Sequence, residues 1–290
     1  MSKPATFPRR VICLTEETTE TLYLLGEQDR IVGISGYTVR PPEARRDKPK
    51  VSAFINAKFD KIMALEPDLV FAFSDLQADI AAELIRQGVN VFTFNQRSVD
   101  EILDMIVTVG RIVGSERAEG LVDELAAGLD AIRESASKFP YRPRAFFEEW
   151  YDPLISGIRW VDELFEIAGG DTVFPELRQQ QGAKDRIISL ERVIEADPQV
   201  IIGSWCGRQV KKNLIRERQG WDKIDAVRSD RVFEVKSTYI LQPGPAALTE
   251  GIKQIHAILA HCVGVETDPS LRPLEKQDPA LTAEAKSNAA

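Results

Sequence analysis

The chain reads as an α/β protein of two lobes with parallel sheets, joined by one long rigid helix. Three observations predict this: a segment that occurs twice, strands that alternate with helices around each copy, and an apolar stripe between the halves. The duplicated segment is DKIMALEPDLVFAF, Asp60 to Phe73, which returns as ERVIEADPQVIIGS, Glu191 to Ser204. Both copies give an acid, a basic residue and an apolar residue, then an acid and a proline (Glu66-Pro67, Asp197-Pro198), then an apolar run. The pattern describes a short helix, a proline that cannot continue it, and a buried strand.

The elements around each copy follow in the same order, as a duplicated lobe requires. Upstream, Val11-Ile12-Cys13-Leu14 and Ala145-Phe146-Phe147 read as buried strands. Each is followed by a helical segment closed by glycine, TETLYLLG (Thr19 to Gly26) and WVDELFEIAGG (Trp160 to Gly170), matching the preference for glycine just past a helix end. Downstream, VNVFTF (Val89 to Phe94) leads to a helix from Ser98, and DRVFEV (Asp230 to Val235) leads to one from about Ala246. Strands alternating with helices imply doubly wound parallel sheets. Between the halves, Leu121, Val122, Leu125, Leu129 and Ile132 hold one helical stripe. A helix from Ser115 to Lys138 would run roughly 36 Å, long enough to cross a domain. The expected organisation is a lobe over 9–114, the connecting helix over 115–139, a second lobe over 140–264 and a disordered polar, alanine-rich tail over 265–290. A ligand is expected in the cleft between lobes that move little against each other.

Composition narrows the functional classes. With 290 residues, 43% of them hydrophobic, the chain can build two cores, and no stretch approaches the roughly 20 apolar residues of a membrane span. A formal charge of -8 and a pI near 5.1 disfavour nucleic acid and anionic membranes as partners. The opening MSKPATFPRR has no apolar core, so no secretory signal is expected in it.

Motifs for chemistry are sparse. GxGxxG after the first strand, a P-loop and a GxSxG elbow are all missing. His256 and His261 stand five apart on one helix, which places them on different faces, unlike a helical metal pair; solvated or partly packed rings are expected. Cys13, Cys206 and Cys262 form no CxxC pair and read as structural thiols. Cys206, after a predicted strand, could be a nucleophile, and Glu148 and Glu149 in FFEEWYDP could ligate a hard cation or sit in a solvated loop. No catalytic residue, metal site or covalent cofactor is assigned.

Aromatic residues, by contrast, gather at predicted strand ends: Tyr37, Phe54, Phe73, Trp150, Tyr151, Trp205 and Tyr239. Parallel α/β sheets bind ligands beyond the carboxyl ends of their strands. Flat aromatic faces there suit a large, partly apolar ligand such as a macrocycle or aryl chelate.

Three stretches carry a resemblance to a known family: RRVICLTEETTETLYLLGEQDRIVGISGYTVRPPEA, FDKIMALEPDLVFAF and RVFEVKSTYILQPGPAALTEGIKQI. Over about Arg9 to Val263 the chain resembles the substrate-binding proteins of cobalamin and ferric-siderophore ABC importers, nearest the vitamin B12-binding type. The resemblance implies two Rossmann-like lobes joined by a backbone helix, and a periplasmic binder, not an enzyme, that delivers a metal chelate (a corrinoid such as cobalamin, or a ferric siderophore) to a permease dimer. It implies that Tyr37, Phe54 and Phe73 line the pocket, with phenylalanine in place of tryptophan at the latter two, and that Tyr239 also falls on an aromatic position. It further implies that Asp60 and Glu191, one acid per lobe, dock into arginine pockets on the two permease subunits; a pseudo-twofold carrier needs the same charge twice for a twofold partner. TEETTE departs from the serine-proline-alanine-like turn more usual in the family. Without a signal sequence the alternative is a cytoplasmic chelate carrier or sensor, or an α/β enzyme built on Cys206 or on Glu148 and Glu149. A monomer is expected, since the internal repeat leaves no obvious oligomer seam.

Overall fold

A computed structural model describes residues 7–274. The chain divides into two compact units. The first holds the chain up to Gln96 with Asp100–Leu125 and Pro243–Pro245; the second holds Arg97–Val99, Ala126–Gln242 and the chain from Ala246.

In the first lobe the strands are β1 (Val11–Cys13), β2 (Ile31–Ser35), β3 (Lys50–Ala53), β4 (Asn56–Ala57), β5 (Leu69–Phe73) and β6 (Val91–Phe94). Its helices are α1 (Glu16–Leu24), α2 (Pro42–Asp47), α3 (Phe59–Ala64), α4 (Ala78–Arg86) and α5 (Val99–Val113). The sheet order is β4-β3-β2-β1-β5-β6, parallel except for the short reversed β4. All five residues of β5 are buried, as a central parallel strand covered on both faces requires. The order reverses beside β1, where β2 lies on one side and β5 on the other, and that switch point is where doubly wound sheets place ligands. Helix α1 starts at Glu16, three residues ahead of the sequence expectation, with Glu16 and Glu17 in the first turn favouring the helix dipole.

The link between the halves is α6 (Ala118–Ala136), shorter at both ends than expected and about 28 Å long. The second lobe has β7 (Arg144–Tyr151), β8 (Leu154–Ser156), β9 (Asp171–Thr172), β10 (Val200–Gly203) and β11 (Val232–Glu234). Its helices are α7 (Arg159–Ala168), α8 (Leu190–Ala196), α9 (Lys212–Arg216), α10 (Asp225–Arg228), α11 (Ser237–Ile240) and α12 (Ile252–Cys262), the last entered through a π-helical turn over Ala247–Gly251. The path is β11-β10-β7-β8, with β9 also on β7, and only β8 is reversed. Strand β7 continues through Tyr151, so Glu148, Glu149, Trp150 and Tyr151 lie within a strand and not in the solvated loop anticipated for the two acids. Pairing with β8 carries the strand past the point where the parallel ladder with β10 ends.

The duplicated segment repeats in its backbone as well. Helices α3 and α8 each stop before a left-handed acid, Glu66 at φ 44° and Asp197 at φ 40°, which is followed by Pro67 and Pro198. Each lobe has its own apolar core, one centred on Ile12, Val51, Ile62 and Val70, the other on Phe146, Ile201, Trp221 and Val232. Part of the expected tail is described: Pro269–Leu271 forms a 3-10 turn, and the Leu274 N–H donates to Glu250 Oε2 at 3.1 Å. The remainder, 275–290, lies outside the described residues.

Candidate functional site

In the first lobe the carboxyl ends of the central strands are tied by one buried side chain, Gln77. Its Oε1 accepts the Phe73 N–H at 2.9 Å, and its Nε2 donates to the Phe54 carbonyl at 2.7 Å and to the Leu14 carbonyl at 3.4 Å. Two of the expected ligand aromatics, Phe54 and Phe73, are thus held by the same amide. Phe73 is buried and Phe54 half-buried. Tyr37, two residues past β2, is 58% exposed, and Ser35 Oγ accepts its N–H at 3.1 Å. The turn is fixed to β3 by the Gly36 N–H, which donates to the Ser52 carbonyl at 2.7 Å.

The end of β1 carries acids that the apolar pattern gave no reason to expect inside. Glu16, Glu17 and Glu20 are all buried. Thr15 Oγ1 donates to Glu17 Oε1 at 2.6 Å, and Arg40 Nε donates to Glu20 Oε1 at 3.0 Å. Burial pushes the Glu16 carboxyl up to about 7. A separate open depression of about 300 Å³ between β6 and α5 is lined by Phe92, Phe94, Glu101, Asp104 and Met105, and includes none of the expected ligand residues.

In the second lobe, Trp150, Tyr151 and Trp205 form one stack. The Tyr151 ring lies 4.7 Å from Trp205 and 5.3 Å from Trp150, both tilted. Both Tyr151 and Trp150 are half-buried, and Trp205, 2% exposed, packs beneath Tyr151. Its Nε1 donates to Glu148 Oε1 at 3.0 Å, and Arg218 closes a bidentate pair on the same carboxylate at 2.5 and 3.0 Å. Burial pushes the Glu148 carboxyl up, opposed by Arg218 and the indole N–H. Glu149 is also paired, with the buried Arg186 at 2.6 Å. Both acids hold the strand in place, and among the described residues no cluster suited to a metal ion exists. Tyr239, in α11, is buried, with Gly251 of the π-helical turn so close that an added Cβ would stand 2.3 Å from the Tyr239 carbonyl oxygen. Its segment joins the end of β10 where the Gly207 N–H donates to Ser237 Oγ at 3.2 Å.

The remaining candidates fall outside these clusters. Cys206 is exposed, whereas burial pushes the Cys13 and Cys262 thiols up to about 12. His256 is buried, stacked on Phe139 with its ring nitrogens against the Ala168 carbonyl and Ser135 Oγ, each at 3.0 Å; it is a packed histidine. Asp60 and Glu191 occupy the second position of α3 and of α8, and both are exposed. The Glu191 carboxyl is held below its ordinary value by its own N–H and Ser189.

Arg218 escaped the sequence reading because Glu148 lies 70 residues away along the chain, and Gln77 because the Phe54 and Leu14 carbonyls it reaches lie 23 and 63 residues away. Glu148 left a signal: an acid inside the apolar run FFEEWY must find a cation or remain an uncompensated buried charge.

Two doubly wound lobes, each with aromatic residues at its carboxyl strand ends, have the architecture of a ligand-binding protein. The chain belongs to the periplasmic binding protein family, whose model matches residues 11–239; it is a binder and not an enzyme. It is 27% identical over 263 residues to an ABC transporter substrate-binding lipoprotein, YvrC, of Bacillus subtilis (strain 168), covering 86% of this chain and 79% of that protein. It is 28% identical over 247 residues to the vitamin B12-binding protein of Vibrio parahaemolyticus, covering 82% and 85%. Among solved structures, the periplasmic haem-binding protein RhuT of Roseiflexus sp. RS-1 superposes with a TM-score of 0.76 at 21% identity, covering 88% of this chain and 99% of that one. Among the described residues no helix is long and apolar enough to cross a membrane.

Proposed function

We propose that the protein captures a metal chelate, a corrinoid or a ferric chelate, and delivers it to the permease dimer of an ABC importer. The observation that carries this reading is the aromatic rim at the carboxyl strand ends of each lobe, held by buried polar bonds: Gln77 behind Phe54 and Phe73, and Glu148 behind Trp205. Such bonds fix the backbone that carries Phe54 and Phe73, and the Trp205 ring itself, before any ligand arrives, so less conformational entropy is lost on binding. The contacts proposed are Tyr37, Phe54 and Phe73 from the first lobe and Trp150, Tyr151, Trp205 and Tyr239 from the second. Trp205 and Tyr239 act mainly as supports, since both are buried. Asp60 and Glu191 are proposed as the permease-docking pair; each is exposed at the start of a short helix in a duplicated segment. The expected site of action is outside the cytoplasmic membrane, in keeping with the periplasmic binding protein family.

The test is native mass spectrometry of the protein as purified, then titration with cyanocobalamin, cobinamide, haemin and ferric chelates followed by tryptophan fluorescence. The reading expects one class to bind and Tyr37→Ala with Trp205→Ala to weaken it by more than about tenfold. A protein that binds none of them is not a chelate receptor.

A further inference from the structure

The aromatic stack of the second lobe has a charged tip. Its root is the Glu148–Arg218 pair, in which Arg218 also donates to the Tyr151 carbonyl at 3.2 Å and lies 4.5 Å over the Trp221 ring. From Trp205 the stack passes through Tyr151 to Trp150, whose Nε1 donates to the Asp152 carbonyl at 2.9 Å. Over the Trp150 ring, 5.4 Å from its centroid, stands the guanidinium of Arg208, with Nη1 3.5 Å from the Tyr151 hydroxyl, the outer limit of a hydrogen bond.

Arg208 differs from the other arginines around it. Arg218 is neutralised by Glu148, Arg186 by Glu149 and Arg216 by Asp230. Arg208 is exposed, and among the described residues no carboxylate pairs with it. Along the chain, the stretch from Ser204 to Arg216 carries Arg208, Lys211, Lys212 and Arg216 and no acid, in a protein of formal charge -8, with Arg216 paired to Asp230 from outside it. A guanidinium laid on an aromatic face has lost water from that face and keeps its planar fork of donors, a geometry that matches a carboxylate or phenolate.

We infer that Arg208, stacked on Trp150, is a specificity-determining residue for an anionic arm of the cargo, so that the cargo is an anionic chelate bearing carboxylate or phenolate groups and not one of zero net charge. The inference rests on the chelate reading above and narrows it. The Glu148–Arg218 pair takes no part in charge recognition, because each of the two already satisfies the other; it keeps the stack, and with it the guanidinium plane, in place.

The experiment titrates the full chain with probes matched in shape and differing in charge: haemin against haemin dimethyl ester, and a trianionic ferric tris-catecholate against ferrichrome, a neutral ferric hydroxamate, with cyanocobalamin as a second neutral probe. An anionic probe should bind at least about tenfold more tightly than its neutral counterpart, with affinity falling as salt rises. Arg208→Gln should remove about tenfold or more of that affinity and weaken a neutral probe by a clearly smaller factor, and Arg208→Lys, which keeps charge without the fork, should fall between. Circular dichroism of both variants verifies folding. If the tightest probe is neutral, or Arg208→Gln shifts the anionic probe by less than about twofold, the inference is overturned while the chelate reading stands. If no probe binds, both fall together.

Discussion

Single buried polar groups decide how the candidate rim is held, and they are the points at which it can be tested. Gln77→Leu leaves the Phe73 N–H and the Phe54 carbonyl without their partner in a buried setting, where each unmade bond costs about 1–3 kcal/mol. Urea unfolding should show a loss of about 2–4 kcal/mol, with chelate affinity falling as well because Phe54 is no longer anchored. Glu16 supplies a pH dependence. Its folded value of about 7 lies above the ordinary 4.5, so ionisation opposes folding. The stability it contributes is intact below about pH 4.5 and is lost as pH rises through about 7. Glu16→Gln should therefore match the parent near pH 4.5 and exceed it by about 3 kcal/mol near pH 8, measured by urea unfolding at both values. Neither residue was legible beforehand. Glu16 sits in TEETTE, a polar string with no apolar residue to mark it as buried, and Gln77 bonds to Leu14, whose place beside it exists only once the sheet is built.

At the scale of elements, the duplicated helix-proline-strand segment was legible because proline and an apolar run are local signals, and both copies form as read. The left-handed acid before each proline was not, since nothing in the letters distinguishes that φ from an extended one. The two copies differ in what their acid does. Asp197 Oδ1 accepts the Asp225 N–H at 2.8 Å, at the start of α10, whereas no bond from the Glu66 side chain is seen among the described residues. Glycine relieves the strain of a positive φ but adds freedom to the unfolded chain, and these effects nearly cancel. Glu66→Gly should be neutral to within about 0.5 kcal/mol, while Asp197→Gly should cost about 1 kcal/mol through the lost hydrogen bond to the Asp225 N–H. Thermal unfolding of the two variants compares them directly. The ends of α1 and α6 moved by a few residues because fraying and capping, not periodicity, set helix boundaries.

For the whole molecule, the proposed permease contact makes a prediction independent of cargo chemistry. Asp60 and Glu191 are exposed, and exposed charges contribute little to stability. Asp60→Ala with Glu191→Ala should leave unfolding and chelate affinity nearly unchanged and abolish stimulation of permease ATPase activity in reconstituted vesicles, with each single variant impaired. Normal transport by the double variant would mean that the repeat records gene duplication alone. The family was legible at this scale because fold, order of elements and motifs all recur along the chain, whereas the proposed choice of cargo rests on Arg208, whose setting on Trp150 emerges only in three dimensions.

Each sheet ends in one short reversed strand, β4 beside β3 and β8 beside β7, and these hairpins frame Phe54 in one lobe and Trp150 and Tyr151 in the other. They are also the most local pairings in either sheet: Ala53 meets Asn56 and Tyr151 meets Leu154, whereas β1 meets β5 at Val11 and Leu69, and β7 meets β10 at Ala145 and Val200. Loop-closure entropy rises by about 0.6 kcal/mol for each doubling of the enclosed chain, so the hairpins close at a cost about 2.5 kcal/mol lower than the long pairings. A hairpin that frays recloses in about 1–10 μs, without waiting for the sheet to reassemble. If these aromatics take the cargo as proposed, the hairpins that carry Phe54, Trp150 and Tyr151 part and reseal locally while the long-range ladder stays intact, which separates the speed of admitting a cargo from the lifetime of the fold.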